Sequence, residues 1–232
     1  MLRNRKRRKV IWSMANNVIA YVGIENFDTI LYLSRILQGL NRKVLIVDNS
    51  ETLALTYSIP VIKDMDTYDV IFSYRRVDFT NQPVTEELIA KYDDILIDCG
   101  LKEPITSINF FTKLIYVTDL FAYNVHRFAK VVAYYNCDCD KELLIRNAVN
   151  AKISVDHIVQ QMNGCISEEN VEVLNRDEFD YENTLNNHIN QVFTLKLSRM
   201  YKEYLISQVV SMCNEYTKKE IIKAYGRARN GG

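Results

Sequence analysis

Short apolar segments alternate with segments of helical periodicity along the first two thirds of the chain. The run VIAYV at residues 18–22 ends at Gly23, and apolar side chains then recur three and four positions apart up to Leu40. The next run, KVLIVD at residues 43–48, has no polar alternation, as expected of a strand covered on both faces. A strand, a helix and a second strand in this order predict a β-α-β unit with parallel strands.

The same alternation continues downstream and predicts the whole architecture. Further strands are predicted at residues 68–74, 94–98, 113–117, 130–135 and 171–174, and helices at 85–91, 120–127, 141–149, 177–187 and 194–225. Buried strands that alternate with helices indicate an α/β fold, a doubly wound and mainly parallel sheet flanked by helices, here with a long C-terminal helix. In such sheets the functional crevice lies at the C-terminal ends of the strands.

Length and composition favour one domain. The 232 residues are 48% apolar, and no segment rich in Pro, Gly or Ser separates two units. We therefore expect a basic N-terminal segment at residues 1–17 and a single α/β domain at residues 18–232.

Cysteine use and hydropathy indicate the compartment. The five cysteines are scattered and odd in number, which is typical of reduced thiols rather than a disulfide framework. No run of about 18 apolar residues is present to span a bilayer. We expect a cytoplasmic protein that also lies peripherally at the inner membrane surface.

The net charge of zero conceals two basic ends. Residues 196–232 carry +5 and residues 10–195 carry −11. The first nine residues carry +6 from Arg3, Arg5, Lys6, Arg7, Arg8 and Lys9. Such clusters are attracted to anionic lipid headgroups or to nucleic-acid phosphates, so a membrane surface or DNA is the expected partner of this segment. The alternative is a solvated tail that only aids solubility.

The glycines exclude two nucleotide-binding motifs. Of seven glycines, two are the last residues, and none of the other five is followed by Lys. The chain therefore contains neither a GK[ST] phosphate loop nor a GxGxxG dinucleotide fingerprint.

Four strand ends nevertheless resemble, in order and spacing, those of the ParA/MinD group of P-loop ATPases. VIAYV leads into Gly23 and a helix, KVLIVD ends at Asp48, ILID ends at Asp98, and VVAYYN ends at Asn136, so that the resemblance covers about residues 17–150. In that family the first strand enters a deviant Walker A loop, KGGxGKT, later strands end in Asp, and another ends in an Asn that reads the base. The resemblance implies a P-loop NTPase-like fold.

The loop itself departs from the family pattern. Aligned on the helix start, Gly23 stands at the signature Lys, Phe27 at the last loop glycine and Asp28 at the phosphate-binding Lys, while Thr29 keeps its type. A phosphate cradle needs converging backbone N–H groups and a cation, whereas Glu25 and Asp28 would present negative charge to a negative ligand. The sequence predicts a degenerate nucleotide site without bound ATP or Mg²⁺.

No catalytic group or metal site is expected. Asp48 and Asp98 correspond to family positions that hold Mg²⁺, but without triphosphate oxygens we expect them to cap loop N–H groups. Cys137 and Cys139 lack the further ligands that zinc requires, so no metal is predicted. On the last helix, Tyr201 and Tyr204 fit an internal docking face and a partner surface equally well.

These features predict a non-catalytic pseudo-ATPase of the ParA/MinD type. Its role would be that of a positioning or scaffold subunit for a machine such as a pilus or secretion assembly, with a protein partner and a homodimer expected. One alternative is an ATPase with an unorthodox loop that uses Thr29, Asp48 and Asp98, with a Lys such as Lys43 or Lys102 supplied from elsewhere. The other is a nucleic-acid-associated protein that binds through its basic termini.

Overall fold

The computed structural model describes residues 16–60, 71–149, 155–162 and 165–229. Its strands are β1 (Asn17–Gly23), β2 (Val44–Asp48), β3 (Phe72–Tyr74), β4 (Val77–Thr80), β5 (Asp94–Gly100), β6 (Lys113–Thr118), β7 (Asp140–Ala148) and β8 (Val171–Asn175). Its helices are α1 (Phe27–Gly39), α2 (Ala54–Tyr57), α3 (Glu86–Lys91), α4 (Ala122–Val132), α5 (Val155–Gln161), α6 (Glu178–Asn190), α7 (Arg199–Met212) and α8 (Lys218–Ala228).

The eight strands form one sheet in the order β3-β4-β2-β5-β1-β6-β7-β8. Every neighbouring pair is parallel except the β3–β4 hairpin. The crossover from β1 through α1 places β2 beyond β5, so β1 and β5 lie at the centre of the sheet. The predicted doubly wound, mainly parallel α/β fold is confirmed.

The two faces of the sheet carry separate cores. Alternate residues of each central strand point to opposite faces, so Ile19 and Tyr21 pack with α1, α7 and α8, whereas Val18 and Ala20 pack with α3, α4 and α5. Both faces are therefore covered, which explains why the strands read as continuous apolar runs.

Two predicted elements are wrong. Residues 130–135 do not form a strand: α4 runs to Val132, because Val125, Phe128 and Val132 share its buried face. The predicted helix at residues 141–149 is absent: residues 141–148 belong to β7, whose central residues are buried between β6 and β8. Both predictions relied on local sequence patterns. The end of α4 is rich in β-branched residues, which favour strands, and β7 lacks the alternation of apolar and polar residues that marks a strand.

The predicted C-terminal helical segment is present but is divided into α7 and α8. Thr217 caps α8 by accepting a hydrogen bond from the Glu220 N–H, and the Glu220 carboxylate accepts one from the Thr217 N–H. This capping box starts a new helix and lets α8 pack against α1. No helix among the described residues combines the length and apolar character needed to cross a membrane.

Candidate functional site

The C-terminal edge of the sheet brings together the strand ends singled out in the sequence. Asp48 at the end of β2 stands directly opposite Asp98 of β5. Asp98 in turn lies opposite Tyr21 of β1, two residues before Gly23. Three of the predicted site positions therefore share one edge, next to the loop that carries Glu25.

Gly23 makes the turn from β1 possible. Its φ of +143° is rarely adopted by residues with a side chain, and a Cβ here would lie 1.8 Å from the carbonyl oxygen of Val117. The next residue, Ile24, donates its N–H to that same oxygen at 3.0 Å. Only residues 24–26 then separate β1 from α1. The connection is a short loop fastened to β6.

Asp28 forms a buried ion pair with Arg146 of β7. The guanidinium donates from Nη1 to Oδ1 at 2.6 Å and from Nη2 to Oδ2 at 2.7 Å, and the Asp28 side chain is 4% exposed. The expectation that Asp28 presents free negative charge to a ligand is therefore wrong, because an internal cation neutralises it.

Arg146 also holds the loop between β1 and α1. Its Nη1 donates to the Asn26 side-chain oxygen at 3.1 Å and to the Glu25 carbonyl at 3.3 Å. Tyr201 of α7 adds a hydrogen bond from its hydroxyl to Asp28 Oδ2 at 3.0 Å. One guanidinium thus ties the loop and the first turn of α1 to the neighbouring strand.

The electrostatics keep this pair charged. Burial by itself raises the pKa of Asp28, but attraction to Arg146 and hydrogen bonds from Arg146, Tyr201 and the Thr29 N–H outweigh it, so the net pKa lies below the ordinary value. Burial opposes the charge of Arg146, and Asp28 more than reverses that effect and raises the pKa of the guanidinium. Both groups are ionised at neutral pH.

Thr29 is fully buried and faces the helices. Its Oγ1 lies 2.5 Å from the hydroxyl of Tyr201. Tyr201 and Tyr204 are themselves buried, so the structure assigns them to the internal face of α7 rather than to a partner surface.

Asp48 caps the loop that follows β2. Its Oδ1 accepts hydrogen bonds from the backbone N–H and hydroxyl of Ser50, and its Oδ2 accepts from the N–H and hydroxyl of Thr56. These four hydrogen bonds from described residues hold the segment between β2 and the end of α2.

Asp98 is only half satisfied. Its Oδ1 accepts from the Gly100 N–H at 3.1 Å, while its buried Oδ2 has no hydrogen-bond partner among the described residues. Burial, and then repulsion from Asp48, raise the pKa of Asp98 well above the usual value. Partial burial and the neighbouring Glu51 and Asp48 likewise raise the pKa of Glu25. The carboxyl groups of Glu25, Asp48 and Asp98 therefore lie close enough together at this edge to disfavour one another's charge.

Other predicted residues lie elsewhere. Asn136, expected at a strand end, is in the loop that precedes β7, at the opposite edge of the sheet from Asp48, because its predicted strand is wrong. The basic residues Arg3 to Lys9 are outside the described part of the chain. Across the described ranges, no group of three or more His, Cys, Asp or Glu side chains is placed to hold a metal ion.

Sequence reasoning missed Arg146. It stands in LLIRNA, whose isolated charge within an apolar run signals a buried pair once the segment is recognised as a strand. The Asn at the next position, Asn147, lies near the C-terminal end of β7, with a φ of +54°.

Fold and strand ends together define an α/β protein with the topology of the P-loop NTPases. Among solved structures, the chain resembles a ParA family ATPase from Chlorobium tepidum (TM-score 0.58, 14% identity, 83% of this chain and 97% of that one). It also resembles the cell division ATPase MinD from Pyrococcus furiosus (TM-score 0.55, 18% identity, 90% and 99%). A third similar structure is the septum site-determining protein MinD from Pyrococcus horikoshii, complexed with Mg-ADP (TM-score 0.54, 16% identity, 83% and 96%).

These similarities show a ParA/MinD-like fold. No protein-family model and no curated protein matches the sequence. What the loop and the strand ends do must therefore be argued from their own geometry.

Proposed function

We propose that the chain is a non-catalytic pseudo-ATPase of the ParA/MinD type that acts as a positioning or scaffold subunit. The machine it serves would be cytoplasmic or membrane-associated, such as a pilus or secretion assembly. The observation that carries the proposal is the Asp28–Arg146 ion pair at the position where the family binds phosphate.

In this proposal the ion pair replaces a bound phosphate at the N-terminus of α1. The N-terminus of a helix attracts anions, and here the Asp28 carboxylate already lies in the first turn of α1. A phosphate would have to separate Asp28 from Arg146, and breaking a buried pair costs about 3–5 kcal/mol. Among the described residues, Asp48 and Asp98 at this edge offer no positive charge that would offset that cost.

Nucleotide calorimetry tests the proposal. We expect ATP, ADP and GTP with Mg²⁺ to bind no tighter than about 100 µM, or roughly 5–6 kcal/mol, because the loop lacks both glycines and Lys. The matched control is Asp48→Asn, which changes the candidate Mg²⁺ ligand. Mg²⁺-dependent binding that is tighter than this limit and is lost in Asp48→Asn would support the alternative of an ATPase with an unorthodox loop.

Helix α6 supports a role in protein binding because its amphipathicity is inverted. Its inward face is polar: Asp180 accepts hydrogen bonds from Ser198, and Asn183 and Asn187 donate to the Tyr32 hydroxyl and to the Thr194 carbonyl. Its outward face exposes Phe179, Tyr181, Leu185 and Ile189, each 46–66% accessible. An apolar stripe left in solvent marks an interaction surface.

The chemistry of α6 indicates its partner. The helix exposes Glu178 and Glu182 and carries neither Lys nor Arg. A partner helix with an apolar stripe flanked by Lys or Arg would complement both the apolar side chains and the charge. We therefore assign the protein partner of the proposed scaffold to this face.

A photo-crosslinking residue at position 185 identifies that partner in the native cell. The affinity between the two purified proteins can then be measured. We expect Leu185→Ala/Ile189→Ala to weaken the affinity at least about tenfold, since two buried aliphatic anchors are lost. Asn186→Ala/Asn190→Ala, which changes exposed residues of the same helix, should leave it unchanged. Equal affinities for both double variants would rule out the α6 face.

The remaining parts of the proposal rest on the sequence alone. The basic residues at positions 3–9 would add affinity for an anionic membrane surface or for DNA, and the protein would be cytoplasmic and peripheral at the inner membrane. A homodimer would be constitutive, because this loop offers no nucleotide switch.

A further inference from the structure

Helix α4 exposes a surface of aromatic and basic side chains. Its inward residues Val125, Phe128 and Val132 pack in the core on one side of the sheet. No Asp or Glu occurs in the helix. We call its outward surface the basic aromatic face, which consists of Phe121, Tyr123, His126, Arg127, Lys130 and Tyr134.

Exposed aromatic side chains are concentrated at two places on the described part of the molecule. Of the six exposed Phe and Tyr residues there, three lie on α4 or beside its ends and two lie on α6. Phe121 and Tyr123 stack on each other with their ring centroids 5.6 Å apart and are 61% and 62% accessible. Aromatic side chains are enriched at protein interfaces, so this pair marks the basic aromatic face as a surface that binds a protein.

The exposed face of α6 has the opposite charge. Its apolar side chains recur along residues 179–189, and the exposed Glu178 and Glu182 lie beside them. On α4, Arg127 and Lys130 lie between the aromatic side chains at the two ends of the helix. The two faces therefore complement each other in apolar area and in charge.

The two cations of α4 are accessible to a partner. The Arg127 guanidinium lies 3.9 Å from the Glu51 carboxylate, at the limit of an ion pair, and the Arg127 side chain is 58% exposed. Lys130 is exposed in the last turn of α4. An ion pair as exposed as that of Arg127 contributes little to stability, so a partner's carboxylate can replace Glu51 at little cost.

Helices α4 and α6 lie on opposite faces of the sheet. Whereas α4 packs with Val18 and Ala20, α6 packs on α1, where Asn183 and Asn187 donate to the Tyr32 hydroxyl. The two faces cannot meet within one molecule, but α4 of one copy can meet α6 of the next. Two copies joined in this way still leave one α4 face and one α6 face unpaired, so the association continues beyond two copies.

We propose that copies of this chain associate head to tail, with the basic aromatic face of one copy packed on the α6 face of the next. The inference rests on the proposed function for the assignment of α6 as a docking surface, and it identifies the partner as a second copy of the chain. Apolar side chains flanked by Lys or Arg are the chemistry that α6 requires, and α4 provides them.

Sedimentation velocity of the purified full chain tests the association. A contact of one helix on another buries less surface than the standard interface of about 1,600 Å², so we expect micromolar affinity. Between about 5 and 200 µM the average mass should therefore rise with concentration and exceed that of two copies.

Charge reversal tests the pairing of the two faces. Arg127→Glu/Lys130→Glu makes α4 acidic, and Glu178→Lys/Glu182→Lys makes α6 basic. Each variant alone should associate at least about tenfold more weakly, because like charges then meet. An equimolar mixture of the two variants should associate again, because every α4 face then finds an α6 face of opposite charge on the other variant.

The control for charge alone is Lys219→Glu/Lys223→Glu, which reverses two exposed residues of α8 and should change the association less than about twofold. Urea unfolding verifies that each variant is folded. If a reversal variant is not, Phe121→Ser/Tyr123→Ser and Leu185→Ala/Ile189→Ala take its place. Each replaces exposed side chains and should weaken the association about tenfold or more, since the apolar anchors are lost.

Five results would overturn the inference: a wild-type mass that does not rise with concentration, a rise that stops at two copies, reversal or replacement variants that associate like the wild type, an equal loss in the α8 control, or a mixture that stays dissociated. The proposed function fails separately. A different protein crosslinked at position 185 would keep the scaffold role while the pure chain stays dissociated, and tight nucleotide binding would contradict the pseudo-ATPase without affecting the contact between copies.

Discussion

Replacing Arg146 with alanine is expected to lower the free energy of unfolding by about 3–5 kcal/mol, because it leaves the buried Asp28 carboxylate without its cation. The loss should be near the upper end of this range. The same guanidinium also donates to Asn26 and to the Glu25 carbonyl, so the loop between β1 and α1 loses its attachment to β7 as well. Urea unfolding followed by circular dichroism measures the change.

Two comparisons isolate the cause. In Arg146→Ala/Asp28→Asn the uncompensated charge is gone, so the double variant should recover part of the stability lost in Arg146→Ala. Arg199→Ala removes a fully solvated guanidinium that pairs with Glu203, and should change stability by less than about 1 kcal/mol. If Arg146→Ala were as mild as Arg199→Ala, the ion pair could not be what closes the loop against phosphate.

Gly23→Ala is the second large effect, with an expected loss of about 3 kcal/mol or more. The added Cβ would stand 1.8 Å from the Val117 carbonyl oxygen, which is a backbone atom of a central strand and cannot rotate away. Either β1 or β6 must shift, and the Ile24 N–H bond to the same oxygen is then disturbed. The positive φ adds strain. Thermal and urea unfolding both report the loss.

The chain offers a matched glycine as a control. Gly226 lies within α8, and a Cβ placed there meets no atom within 4 Å. Gly226→Ala should therefore raise stability by about 0.5–1 kcal/mol, since alanine is the better helix former. Similar changes in the two variants would show that the close approach of β1 and β6 at Gly23 does not constrain this turn.

The first half of the sheet could be predicted because local and tertiary signals agree there. VIAYV, KVLIVD and DILID are strands in the structure, and the intervening segment that ends at Gly39 is α1. The predicted helix at residues 85–91 is α3, which Thr85 caps by accepting the Leu88 N–H with its hydroxyl. Of the predicted strand at residues 68–74, only residues 72–74 form β3, and residues 68–70 lie outside the described part of the chain.

The second half of the sheet could not be predicted, because there the secondary structure depends on contacts with neighbouring elements. Residues 130–135 have the β-branched and aromatic composition of a strand, but residues 130–132 complete α4, in which Phe128 and Val132 cover the sheet. Residues 141–148 lie in β7 between two other strands, and the consecutive burial of Leu143, Leu144 and Ile145 removes the alternation by which an isolated strand is recognised. Because β7 was predicted as a helix, the sequence did not indicate that Arg146 is a buried partner of an acidic residue.

By itself, the sequence determined that this chain lacks a GK[ST] phosphate loop, since none of its glycines is followed by Lys, and the resemblance aligns Asp28 with the phosphate-binding Lys. What Asp28 does instead was decided only by the tertiary structure, which brings Arg146 to it across 118 positions of sequence. The reason is electrostatic. A carboxylate repels a phosphate unless a buried cation already neutralises its charge. Here that cation is Arg146 of β7, which lies two strands from β1 in the sheet.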